Sequence, residues 1–126
     1  MELLYRLLLF VAIWGGDVHQ GFAPRYAKNV MERVARARDL PIVGCMVSSP
    51  RYPIGTWVYV YGFNTDTLLR CRVTDVSHTH DRARHLRTKR EVELGFEAAR
   101  KLCGEAAMRA RPEACPVLVV RLNGQS

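Results

Sequence analysis

Two runs of β-branched and aromatic residues, separated by five turn-forming residues, constrain the fold of this chain more than any other feature. Residues 56–61 read Thr-Trp-Val-Tyr-Val-Tyr, residues 62–66 read Gly-Phe-Asn-Thr-Asp, and residues 67–74 read Thr-Leu-Leu-Arg-Cys-Arg-Val-Thr. Branched and aromatic side chains suit a pleated surface, and Gly, Asn and Asp adopt the backbone angles of a tight connection. The pair therefore predicts a β-hairpin. Alternation in its second strand puts Leu69, Cys71 and Val73 on one face and Arg70, Arg72 and Thr74 on the other. Asp75 then falls in phase with the apolar face. A carboxylate at the end of such a face must be hydrogen-bonded, paired or functionally perturbed, so Asp75 is the first candidate functional residue. The plainer alternative is an aspartate that starts the next turn.

Around the hairpin, residues 42–47 form a short apolar run and residues 48–53 are turn-like, which predicts a further strand. Residues 24–38 place Ala27, Val30, Met31 and Val34 at helical spacing opposite Lys28, Glu32, Arg33 and Arg36, predicting an amphipathic helix that ends before Pro41. A solvated basic face is the commoner meaning of such a pattern. Residues 76–90 read as a polar loop holding Ser77, His78, His80, Asp81 and His85 among several basic residues. A loop of that length in a small domain usually binds something or moves. A helix over residues 94–102, stopped by Gly104, and a strand over residues 116–122 complete the chain.

The length of 126 residues suits one domain with one core. The formal charge of +7 favours an anionic partner. Nucleic acid is not expected, because the basic runs at residues 33–38 and 82–90 lack interleaved stacking aromatics. At the N-terminus, Arg6 precedes the apolar stretch 7–14, which is too short to span a bilayer comfortably and reads as an export signal cut between Gly15 and Ala23. The alternative is an uncleaved anchor that attaches the protein to a membrane. Cys45, Cys71, Cys103 and Cys115, an even number, fit an oxidising compartment and allow three pairings. Cys103 with Cys115, around a loop containing Gly104 and Pro112, is the favoured local bridge, which leaves Cys45 with Cys71 to join two strands. No C-x-x-C or C-x-x-H spacing supports zinc, and His78-x-His80 alone is a weak metal signal. No metal or cofactor is expected.

Four motifs in order resemble one family: residues 52–60 (Tyr-Pro-Ile-Gly-Thr-Trp-Val-Tyr-Val), residues 71–75 (Cys-Arg-Val-Thr-Asp), Val92-Glu-Leu followed by a short helix ending Leu-Cys-Gly at 104, and the closing Val-Leu-Val-Val at 117–120. The match, about 75 to 80 residues and thus module-sized, resembles the double-psi β-barrels of the rare lipoprotein A and expansin-like group. The resemblance implies a mainly β fold with short helices, namely a six-stranded double-psi β-barrel over residues 41–123. An amphipathic helix over 23–40 would pack on it, and residues 1–22 would be the leader or anchor. It also implies export to the periplasm, cell surface or medium, and action on cell-wall glycan. That action would be lytic transglycosylase cleavage of peptidoglycan or non-hydrolytic loosening of polysaccharide, with no cofactor.

By resemblance Asp75 takes the place of the family's functional aspartate, and Glu93 that of its second acid, although an acid at a helix N-terminus is the plainer role for Glu93. Ser49 stands where lytic members carry a histidine, so His78 or His80 would replace that proton partner. Tyr52, Arg82, Arg84 and His85 are expected to contact substrate. A lytic transglycosylase needs one carboxylic acid to protonate the glycosidic oxygen and then accept the C6 hydroxyl proton, and Asp75 is the expected acid. The competing expectation is a non-catalytic module whose cleft holds an acidic glycan or a protein.

Overall fold

The computed structural model describes residues 2–109 and 114–124; Pro112 and the last two residues of the polar tail lie outside them. The fold is mixed α/β, with four α-helices and a curled six-stranded sheet, rather than mainly β. In chain order the elements are α1 (Glu2–Trp14), β1 (Gly16–Ala23), α2 (Val30–Ala37), β2 (Met46–Ser49), β3 (Trp57–Gly62), β4 (Thr67–Val76), α3 (Thr79–Arg87), β5 (Glu93–Leu94), α4 (Phe96–Cys103) and β6 (Cys115–Leu122). A 3-10 turn at Glu105–Met108 follows α4. The sheet order is β1-β6-β3-β4-β2-β5, antiparallel throughout except for the parallel pair β2/β4.

The predicted hairpin is β3/β4, and its period-2 pattern explains both faces of the sheet. Val58 and Val60 of β3 join Val47, Val73, Val117 and Val119 in the inner core, which Ala98, Ala99 and Leu102 of α4 also enter. Tyr59 and Tyr61 of β3 point the other way, onto Leu118, Val120, Leu122 and Leu7 of α1. Each fully buried valine stabilises the fold by about 1.5–3 kcal/mol. Both faces of the central strands are therefore apolar. Thr74, expected on the outward side, is also buried, because α2 covers it and its hydroxyl meets the Met31 sulfur at 3.6 Å.

Cys45 is bonded to Cys71, and Cys103 to Cys115, the pairing that spacing favoured. The first bridge ties the chain entering β2 to the middle of β4, and the second ties the end of α4 to the start of β6. The bridges span sequence separations of 26 and 12 residues. Closing loops of that size typically stabilises a fold by about 2–4 kcal/mol each. Such bonds persist in an oxidising, extracellular-type environment. No helix among the described residues is long and apolar enough to cross a membrane.

Three boundaries differ from expectation. The sheet begins at Gly16 rather than at residue 41, so the stretch 1–22 assigned to a leader or anchor contains α1 and most of β1. Strand β1 pairs with β6 from Gly16↔Leu122 to Ala23↔Cys115. Gly15 and Gly16, at φ 75° and 150°, make the turn between α1 and β1, and a Cβ on Gly16 would sit 2.2 Å from the Arg121 carbonyl oxygen. Second, the helix expected over residues 23–40 shrinks to Val30–Ala37. The backbone before it is taken by strand-like pairing, with Leu94 N–H donating to Pro24 O and Tyr26 N–H to Leu94 O, both at 2.8 Å. Third, the expected loop 76–90 contains α3. This helix buries no residue, so no apolar periodicity marks it.

The same pairing closes the curl. Phe22 N–H donates to Lys89 O at 2.8 Å and Glu91 N–H to Phe22 O at 3.1 Å, so the end of β1 and the segment leading into β5 stitch the two sheet edges together. Gly21 sits in this seam, where a Cβ would lie 2.2 Å from Lys89 O and 2.6 Å from Glu91 Cγ. Glu91, 4% exposed, is held there by Arg51 through Nε at 3.0 Å and Nη2 at 3.2 Å.

Gly21→Ala is accordingly expected to destabilise the protein by about 1–3 kcal/mol, read as a lower urea midpoint with an unchanged slope. A chain beginning at Gly15 should keep dispersed amide NMR signals for β6, whereas one beginning at Ala23 should lose them. Equal behaviour of the two shortened chains would show that β1 is dispensable.

Candidate functional site

Parallel strands β2 and β4 end side by side, and the chain beyond them builds a cleft of about 450 Å³. Its walls come from Tyr26, from Arg38 at the end of α2, from residues 75–79, Asp81, Arg82 and His85, and from the segment carrying Arg90 and Glu93. A register shift between Val47 and Ser48 sets Ser48 opposite Asp75 on one side and opposite Glu93 on the other. The two acids thus flank the buried Ser48 in one row, two strand spacings or about 10 Å apart at Cα.

Asp75 is 17% exposed, and three donors meet its carboxylate. Arg38 Nη2 donates to Oδ1 at 2.8 Å and the Val76 N–H to the same oxygen at 2.9 Å, while the Tyr26 hydroxyl donates to Oδ2 at 2.9 Å. Burial, with Asp75 as acceptor of its proton, raises the Tyr26 phenol well above its ordinary value, so Tyr26 acts as a fixed donor. Arg38 is 42% exposed, and solvent screening leaves a pair of this kind about 1 kcal/mol or less.

Glu93 contrasts with Asp75. No protein hydrogen bond reaches its carboxyl among the described residues. Burial raises its pKa, the charge of Arg90 opposes that shift, and the charge of Asp75 adds to it. The surroundings of Glu93 thus favour a retained proton.

His85 is fixed by its neighbours. Arg90 Nη1 lies 3.2 Å from Nε2 and Ser77 Oγ 2.7 Å from Nδ1. A guanidinium only donates, so Nε2 accepts and Nδ1 carries the proton toward Ser77. Burial, then Arg90 and Arg84, lower the His85 pKa against a weaker pull from Asp81. A histidine in this state cannot take a proton from Ser77, which rules out a serine nucleophile activated by His85 in this arrangement.

The cleft thus gathers Asp75, Glu93, His78, Arg82 and His85 of the residues singled out from sequence. Three others stand outside its walls. His80, 82% exposed, stacks on His78 with ring centroids 5.5 Å apart in the first turn of α3, not on an extended segment. Arg84 pairs with Asp81 at 2.9 Å. Tyr52 donates to Asp17 Oδ2 at 3.4 Å beneath Arg121, and burial pushes its phenol up to about 12. Ser49 accepts the N–H groups of Arg51 and Tyr52 and so shapes the turn after β2. Among the described residues, no three His, Cys, Asp or Glu side chains assemble as metal ligands.

Sequence reasoning missed Tyr26, Arg38, Ser48 and Arg90. Tyr26 and Arg38 lie 49 and 37 residues from Asp75 in the chain, and only the tertiary fold joins them. The nearest sequence signal was the apolar phase of Asp75, which required partners without naming them.

A raised glutamate disfavours the folded state once it ionises. Its contribution is fully present below the unfolded value and is lost as pH rises through the higher folded value. Glu93→Gln should therefore match the wild type in thermal midpoint near about pH 4 and exceed it near about pH 8; an equal offset at both pH values would contradict this. In comparisons with known proteins, the chain matches no protein-family model, no curated protein and no solved structure.

Proposed function

We propose that this chain is an exported protein whose curled sheet is a double-psi β-barrel of the rare lipoprotein A and expansin-like group, acting on cell-wall polysaccharide. One observation carries the reading: the two acids expected from the resemblance, Asp75 and Glu93, meet in one open cleft across buried Ser48. The parallel β2/β4 pair and the stitched sheet edges support a barrel. The two disulfides support an oxidising destination.

The environments of the two acids divide the work. Glu93, held toward its protonated form, donates its proton to the glycosidic oxygen, and the bond from that oxygen to C1 breaks. Asp75, kept in place by Arg38, Tyr26 and the Val76 N–H, faces the developing positive charge of the sugar ring as an acceptor. The C6 hydroxyl of the same sugar then attacks C1, its proton returns to the Glu93 carboxylate, and a 1,6-anhydro product leaves. The acid expected from sequence was Asp75; the hydrogen bonds around it favour Glu93 for that step.

A second reading rests on those same hydrogen bonds. With both Asp75 oxygens already occupied, the cleft suits a module that binds glycan without cleaving it. Purified protein incubated with peptidoglycan separates the two. The catalytic reading expects soluble anhydro-muropeptides, with release cut at least about 100-fold by Glu93→Gln or Asp75→Asn while sedimentation with the polymer persists. Release at the wild-type rate by both variants would end it. No release by any form, with sedimentation intact, establishes the binding module.

A further inference from the structure

We propose that the Asp75 cleft recognises a carboxylate group on its glycan, gripped by Arg82 and Arg90, and that this group draws Arg38 away from Asp75. The proposal rests on the glycan reading above and narrows its substrate class.

Three guanidinium groups from separate parts of the chain line one cleft: Arg38 at the end of α2, Arg82 on α3, and Arg90 in the segment before β5. The acids nearby do not neutralise them all. Asp75 takes up Arg38, and Asp81 is held by Arg84. Neither Arg82 nor Arg90 lies within ion-pair distance of a carboxylate among the described residues. The polar partner of Arg90 there is the neutral Nε2 of His85. Glu93, the remaining acid in the cleft, is biased toward its uncharged form by burial. Two guanidinium groups in a concave wall, neither in an ion pair among the described residues and Arg90 opposed only by the half-buried Glu93, concentrate positive potential at the site. The lowered pKa of His85, caused in part by Arg90 and Arg84, is a local sign of that potential.

The shape of the donors selects the anion. A guanidinium presents its N–H groups in a planar fork that matches a planar carboxylate. The Asp75 carboxylate in the same cleft repels a multiply charged phosphate more strongly than a singly charged carboxylate. Arg38 is placed to change partners: it is 42% exposed, and its departure leaves Asp75 with the Tyr26 hydroxyl and the Val76 N–H. An incoming carboxylate can therefore recruit Arg38 without stranding Asp75, and it would open one acceptor position on Oδ1 beside the Val76 N–H.

The test measures retention of the full chain on peptidoglycan with native carboxylates and on the same polymer after carbodiimide amidation with ammonia. Amidation is expected to weaken retention of the wild type about tenfold, the loss of one charge-assisted contact. Arg82→Gln should cause a similar loss on the native polymer and little further loss on the amidated one. Arg87→Gln, which removes the same charge from an exposed position of α3 outside the cleft, should leave retention unchanged. Equal retention on both polymers, or equal losses for Arg82→Gln and Arg87→Gln, overturns the carboxylate subsite and leaves the glycan reading standing. Competition by inorganic phosphate where acetate has no effect overturns the choice of anion. Failure of the folded wild type to bind either polymer overturns both this proposal and the glycan reading.

Discussion

The stitched seam between the end of β1 and the segment entering β5 is the constraint on which the remaining structure depends. Four backbone hydrogen bonds join residues 22–26 to residues 89–94, and they do two things together. They close the curl of the sheet, and they bring Tyr26 and Glu93 to the carboxyl ends of β2 and β4, where Asp75 emerges. Glu91 is buried beside the seam while Arg51 reaches it from the partly exposed side, so losing Arg51 would leave a buried carboxylate without its ion partner. Such a pair favours one register of the two edges over its neighbours.

Within the cleft, burial and hydrogen bonding separate two carboxyl groups that the sequence presents as similar. Asp75 is met by donors on both oxygens, whereas Glu93 is half-buried, has no donor among the described residues and feels the charge of Asp75. Burial that raises the Glu93 pKa lets that carboxyl retain a proton, the state a proton donor needs. The basic groups act at the edges of this arrangement. Arg38 secures Asp75 from outside, and Arg90 fixes the tautomer of His85.

Legibility in the sequence followed how locally each feature was determined. The β3/β4 hairpin was readable because alternation and turn chemistry act within twenty residues, and the phase of Asp75 came with it. The cysteine pairing was readable because one pair closes a short loop. Strand β1 was not, since its inward positions include only the small Gly21 and Ala23 while Val18 and Phe22 are exposed at 37% and 49%. Its stability comes from pairing with β6 rather than from its own pattern. Helix α3 escaped notice because a helix without a buried face leaves no periodic trace. The residues around Asp75 escaped because Tyr26 and Arg38 belong to a segment that, read alone, looks like one solvated helix.

Strand β6 lies between β1 and β3, so the first strand of the sheet finds its neighbour in the last stretch of the chain. Pairing of residues about a hundred positions apart must close a long loop, and contacts of such long range are slow to form. The Cys103–Cys115 bridge anchors the start of β6 to the end of α4, so it shortens the loop that must close before β6 can join β1 to the β3/β4 hairpin.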